Sequence, residues 1–192
     1  MPAYLLAYFI VLLVVPALLV GRKIGKSPLI LSASDDAHGL IARYFLVWLI
    51  LAGVYVAAFS LFPAYYPYFK PIHYLESDTW RIFGFILLTV SLIWTSAAQI
   101  NMQSSWRVGI DDKQKTDLIR SGIFRFSRNP IYLGMIFTIM GLFFLTPNAF
   151  TLLMTIVGYM LVQIEVRLEE EFLYKMHGQA YLDYKSSVRR FV

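Results

Sequence analysis

The chain has no cysteine, only three histidines and few charges. Without cysteine there is no disulfide, no thiolate nucleophile and no zinc–thiolate site. His38, His73 and His177 are too scattered to suggest a metal centre, so no metal is expected. There is no G-x-G-x-x-G run and no strand–helix alternation, which excludes a dinucleotide-binding fold and other soluble Rossmann-type folds. No Ser/His/Asp set stands out, and internal repeats and low-complexity tracts are missing. Charged residues make up 15% of the 192 positions, well below the ~25% of soluble domains.

What fills the space is apolar: 58% of the residues are hydrophobic, above the soluble range. This composition predicts an all-α integral membrane protein, and the length fits one domain spanning residues 1–192. A net charge of +5 would suggest nucleic acid in a soluble protein. Here the cations flank apolar runs and read as topology signals facing anionic lipid, so no nucleic-acid partner is expected.

Five spans are expected: Ala3–Val20, Ala42–Phe62, Trp80–Ile100, Ile131–Leu145 and Ala149–Ile164. The first three approach the ~20 residues of a bilayer crossing. The N-terminal run lacks the basic leader and cleavage site of a signal peptide, so it is expected to remain as the first span. The last two runs are short, about 22–24 Å at 1.5 Å per residue. They form a helical hairpin turning at Thr146-Pro147-Asn148, either crossing a thinned region or penetrating without spanning.

Taking the connecting segments alternately, one side collects fifteen cations, among them Arg22, Lys23, Arg43, Arg107, Arg120, Arg125, Arg128, Arg167, Lys185, Arg189 and Arg190, against Lys70 and Arg81 on the other. The positive-inside rule then places the N-terminus outside and the C-terminus in the cytoplasm. The Pro- and Tyr-rich segment Phe62–Thr79 is expected as an outer interfacial loop with an aromatic belt. Beyond the hairpin, Val166–His177 continues the helix, Gly178 stops it, and a short helix over Gln179–Arg190 carries Tyr181 and Tyr184 on one face.

Two stretches carry the chemistry. One is Ser121–Tyr132, where a polar, cationic loop meets an apolar helix. Pro130 fits the first helical turn and Asn129 the N-cap, with its side-chain oxygen on the free amides. Neither role accounts for Arg128 or Tyr132, and an arginine beside a helix N-terminus suits a carboxylate or phosphate. The other is Glu165–Tyr184, where Glu169, Glu170 and Glu171 follow directly on a span. A solvated acidic patch paired with Arg125, Arg128 or Arg189 accounts for them, and so does a ligand bearing ammonium or sulfonium charge. Gln99, Asn101 and Gln163 suit interhelical hydrogen bonds, and Gly134 and Gly141 close helix packing.

In order, Ser105-Trp106-Arg107, Gly122 sixteen residues after Trp106, Arg128-Asn129-Pro130-Ile131-Tyr132, a hairpin, Glu169-Glu170-Glu171 and His177-Gly178-x-Ala180-Tyr181-x-x-Tyr184 resemble the isoprenylcysteine carboxyl methyltransferase and phospholipid methyltransferase group of integral membrane enzymes. The resemblance covers about Asn101–Arg190. It implies S-adenosyl-L-methionine as cofactor at the cytoplasmic face, and methyl transfer to a lipophilic or lipidated acceptor met in the membrane lipid. Carried over by position, Gly122, Arg128, Asn129, Pro130, Tyr132, Glu169, Glu170, Tyr181 and Tyr184 would line the cofactor pocket. Arg128, Glu165 and Arg167 are the candidate catalytic residues.

Two departures bear on the acceptor. Asn129 stands where the group usually has histidine, as in similar bacterial sequences, which implies a bacterial or archaeal inner membrane. Prenylcysteine methylating members carry an arginine about four residues before the Glu pair, and here Glu165 holds that place, with Arg167 on another helical face. A lipid amine, a small thiol or a phenol therefore stands beside prenylcysteine as acceptor, and a non-catalytic lipid-binding scaffold is the alternative to an enzyme. The resemblance further implies that Glu170→Ala and Arg128→Ala abolish cofactor binding while leaving the protein folded.

Overall fold

The computed structural model describes Tyr8 and residues 37–102 and 117–192, apart from the His38 side chain. The expected first span, apart from Tyr8, and the Ser105-Trp106-Arg107 stretch lie outside the described residues. Five α-helices follow one another: α1 (Ala37–Leu61), α2 (Asp78–Met102), α3 (Pro130–Leu145), α4 (Ala149–His177) and α5 (Gln179–Ser187), with no strand among the described residues. Helices α1, α2 and α4 are long and apolar enough to cross a bilayer, and α3 is shorter. The architecture is that of an all-α membrane protein.

The helices overrun the apolar runs that define them, because a helix ends where its backbone bonding ends, not where hydropathy falls. Asp78 opens α2 with a negative charge in the first turn, favourable against the helix dipole. Helix α4 runs unbroken for 29 residues from lipid depth into the polar glutamates. Its stop is Gly178, held at φ +55°, with Lys175 and His177 in the last turn.

Helices α2 and α3 approach each other closely at their glycines. A Cβ on Gly84 would sit 2.9 Å from the Gly141 carbonyl oxygen and 2.9 Å from the Leu145 nitrogen. Both obstacles are backbone, so nothing can rotate aside. Gly84→Val is expected to force the helices apart and to cost at least the roughly 1–3 kcal/mol of an overpacked core. Gly53 has nothing within 4 Å of the equivalent position, so Gly53→Val serves as the control. Detergent–denaturant titration of both variants checks this; equal midpoints would contradict it.

Higher in the same seam, Ser91 Oγ donates to the Gly134 carbonyl (2.7 Å) and shares its hydroxyl with Tyr8 (2.9 Å) and Thr138 (2.8 Å). Bonds of this kind between spans contribute a little under 1 kcal/mol each.

At the far end of the bundle the hairpin turn meets the α1–α2 connection. Thr146 and Asn148 are buried, and Asn148 forms a capping box with Thr151 that starts α4. The Asn148 amide also donates to the Tyr55 hydroxyl at 2.7 Å. The connection folds into two 3₁₀ turns, Pro63–Phe69 and His73–Leu75, and lies across this turn. Ile72 N donates to Pro147 O (2.8 Å) and Ala149 N to Lys70 O (3.1 Å). The hairpin turn therefore packs directly on the α1–α2 connection. Tyr65, Tyr68 and Tyr74 remain exposed there, as an interfacial aromatic belt requires.

Candidate active site

The opposite end of the bundle gathers the loop before α3, the C-terminal half of α4, helix α5 and the residues after it. The loop is shaped first. Gly122 adopts φ +61°, a left-handed conformation that disfavours side chains, and a Cβ there would fall 1.9 Å from Asn101 Oδ1. That same oxygen accepts the Ile123 amide at 3.0 Å. Glycine is therefore required so that the end of α2 can grip the loop, and the 3₁₀ turn Gly122–Arg125 leads from this grip toward α3.

Glu170 is the hub, only 4% exposed. Its Oε1 accepts from Arg128 Nη2 (3.1 Å), Asn129 Nδ2 (3.0 Å) and Arg190 Nε (3.0 Å). Its Oε2 accepts from Arg190 Nη2 (2.8 Å), with Lys185 Nζ at 4.0 Å. The pairing expected for the acidic patch is thus real for Arg128. The second arginine is Arg190, whereas the side chains of Arg125 and Arg189 are exposed.

Asn129 occupies the N-cap position of α3 but does not cap it with its side chain. The side-chain amide is turned to Glu170 and to the Arg190 carbonyl (3.3 Å). The buried carboxylate is a strong acceptor for the side-chain NH2, and with that group turned to it the Oδ1 makes no bond to the first-turn amides that a cap would serve.

Helix α5 ends at Ser187, three residues short of the Arg190 expected from sequence. Val188 is extended, and beyond the helix the carbonyls find other donors: Arg128 N reaches Arg189 O (3.0 Å) and Asn129 N reaches Arg190 O (3.2 Å). Ser127 Oγ adds a bond to Arg190 O at 3.2 Å. Arg128 Nη1 donates to the carbonyls of Lys185 (3.0 Å) and Val188.

Tyr181 and Tyr184 are both buried, their rings meeting edge-on at 6.3 Å. Burial pushes each phenol up to about 12, with the Glu170 charge adding to the effect at Tyr181. Both stay protonated donors at neutral pH. The Tyr184 hydroxyl donates to Phe124 O at 2.7 Å.

On the membrane side of the hub, Tyr132 on α3 faces Glu165 and Glu169 on α4. Glu169 also acts electrostatically on Tyr181, so it joins this inner group to the Glu170 hub. Gly122, Arg128, Asn129, Pro130, Tyr132, Glu165, Glu169, Glu170, Tyr181 and Tyr184 therefore lie at one end of the bundle. Arg167 stands apart: exposed on α4, it bonds back to Gln163 Oε1 (2.8 Å) of its own helix. Ser127, Lys185 and Arg190 join the cluster without having been singled out in the sequence. Only the density of basic residues hinted at the last two.

A family model described as phospholipid methyltransferase matches residues 79–180, more than half of the chain. The chain belongs to the phospholipid methyltransferase family. No curated protein matches it. The family match runs from α2 to the first residues of α5, so the phospholipid methyltransferase region contains the loop, the hairpin and every glutamate of the cluster, while Lys185–Arg190 lies beyond it. With its apolar spans, the protein is a membrane methyltransferase.

Three buried polar atoms in this cluster make no well-formed hydrogen bond among the described residues: Arg128 Nε and Tyr181 Oη, whose side chains lie within reach of each other, and Glu165 Oε2. Buried polar groups are nearly always paired in folded proteins. Two of the three are donors beside the Glu170 hub. The third is an acceptor about one and a half helical turns, ~7–8 Å, deeper along α4.

Proposed function

We propose that the protein transfers a methyl group from S-adenosyl-L-methionine to a lipophilic acceptor that reaches the site from the bilayer. The observation that carries this reading is the set of three orphaned buried atoms. Arg128 Nε and Tyr181 Oη suit the carboxylate of the cofactor's amino-acid portion, and Glu169 beside Tyr132 suits its ammonium. When bound, S-adenosyl-L-methionine supplies an electrophilic methyl group on a sulfonium. Gly122 and Pro130 shape the loop, Asn129 and Glu170 hold Arg128 in place, and Tyr184 ties α5 to that loop. Together these residues align and enclose the reacting groups and exclude water, which is most of what an in-line displacement asks of a protein.

Glu165 bears on the acceptor. A carboxylate in the membrane-side half of the site repels a substrate carboxylate and welcomes a group with a proton to lose. This favours an amine or a phenol, with Glu165 as proton acceptor, over the carboxylate of prenylcysteine. The bias of basic residues toward this end supports a cytoplasmic site with the N-terminus outside. A polar cofactor would then arrive from the cytoplasm while the acceptor slides in between spans.

Calorimetric titration of the detergent-purified protein with S-adenosyl-L-methionine and with its demethylated product tests the reading. Saturable binding near one per chain is expected. Absence of binding to folded protein would favour a non-catalytic scaffold. Transfer of labelled methyl to amine-bearing lipids, set against a prenylated cysteine, then identifies the acceptor class.

A further inference from the structure

The segment after α5 is tied down by many polar bonds, with Val188 and Phe191 half-buried beside them. Ser187, Arg189 and Val192 are exposed, and on its outer side Ser187 and Val188 line an open cleft of ≈ 420 Å³. No buried apolar side chain follows Tyr184. Yet residues 185–190 accept six hydrogen bonds from Ser127, Arg128 and Asn129. What returns the favour is one side chain: Arg190 grips both oxygens of Glu170, through Nε at 3.0 Å and Nη2 at 2.8 Å.

We propose that Arg190 is a positioning residue of the site: by chelating Glu170 it holds the C-terminal strap on the Ser127–Asn129 loop and so presents Arg128 and Tyr181 to a ligand. The geometry requires an arginine. Two donors at fixed spacing satisfy two carboxylate oxygens at once, which a lysine cannot do. Lys185, exposed and 4.0 Å from Oε2, is a loose point charge and no substitute. Without the grip, the carbonyls of Arg189 and Arg190 drift from the Arg128 and Asn129 amides, and Arg128 loses the acceptors that fix its Nη1. Its Nε, the atom left for a ligand, then has no defined direction. Arg190 lies ten residues past the end of the family match.

The ligand arm of the test rests on the methyltransferase reading; the other arm does not. Arg190→Gln, Arg190→Lys and, as a charge-removal control, Lys175→Gln are compared with wild type in detergent. One readout is amide hydrogen exchange of the Arg128 and Asn129 segment, and the other is calorimetric affinity for S-adenosyl-L-methionine.

Arg190→Gln is expected to speed exchange there by about tenfold or more and to weaken binding by about 10–100-fold, the range for losing a group that orients a ligand-contacting residue. The melting temperature and the exchange of α2 and α4 are expected to hold, Arg190→Lys to recover part of both losses, and Lys175→Gln to match wild type. If wild type binds and either readout is unmoved in Arg190→Gln, the proposal is overturned. If wild type does not bind, the cofactor reading fails by itself, and the exchange arm alone decides whether Arg190 fixes the loop.

Discussion

Glu170→Ala is expected to destabilise the protein by about 3–5 kcal/mol, the cost of leaving a buried charge without its partner. The Arg128 side chain is 8% exposed and the Glu170 side chain 4%. Removing the carboxylate strands the Arg128 guanidinium among the carbonyls of Lys185 and Val188, takes the acceptor from Asn129 and releases Arg190. Loss of one group thus undoes three contacts that share it, and such losses do not add as independent terms. Glu170→Gln keeps the shape and one acceptor oxygen, so its penalty is expected to be smaller. Denaturant titration in mixed micelles, read by helical circular dichroism, measures both. Sequence resemblance alone implies a folded variant that merely fails to bind cofactor. A Glu170→Ala protein with wild-type stability and no affinity for S-adenosyl-L-methionine would vindicate that simpler role and place the carboxylate against the ligand.

The difference between these two expectations marks where the sequence stops being legible. Span positions follow from hydropathy, and the described helices begin and end within about five residues of the apolar runs, except where α4 continues as one rod through the glutamates. The stop at Gly178 and the turn at Thr146–Asn148 follow from local chemistry that a reader of residues can see. The family is legible because its motifs recur in order, and the match over residues 79–180 bears that out.

Pairing is another matter. Five arginines, at 120, 125, 128, 189 and 190, crowd this end, and nothing in the spacing selects Arg190 for Glu170. The choice is made by the end of α5, three residues early, which turns the backbone so that its carbonyls meet the amides of Arg128 and Asn129. Those are contacts between residues some sixty positions apart, and periodicity carries no information about them. Asn129 shows the same limit at one residue. Its position fits a helix cap, but the side chain is claimed by a carboxylate that arrives from another helix. Gly84 was legible only as one more residue of a span, because the backbone it must admit belongs to α3.

The second large effect is expected from Glu165→Gln. Glu165 lies one turn from Glu169 on the membrane side of the cluster, faces Tyr132, and has one oxygen buried without a partner. If its role is to take a proton from an amine or phenol acceptor, the glutamine variant, equal in shape and unable to accept the proton, should lose about 10²–10⁴-fold in kcat. Affinity for S-adenosyl-L-methionine should stay within a few-fold of wild type, since Arg128, Tyr181 and Glu169 remain. Labelled-methyl transfer and calorimetry on the same preparation separate the two quantities. A thiolate or carboxylate acceptor arrives already deprotonated and needs no base, so for such a substrate Glu165→Gln should leave kcat unchanged or raise it by removing a repelling charge. An unchanged kcat would therefore return the acceptor to a thiol or to the prenylcysteine class and leave Glu165 as a buried carboxylate whose role is to bind positive charge.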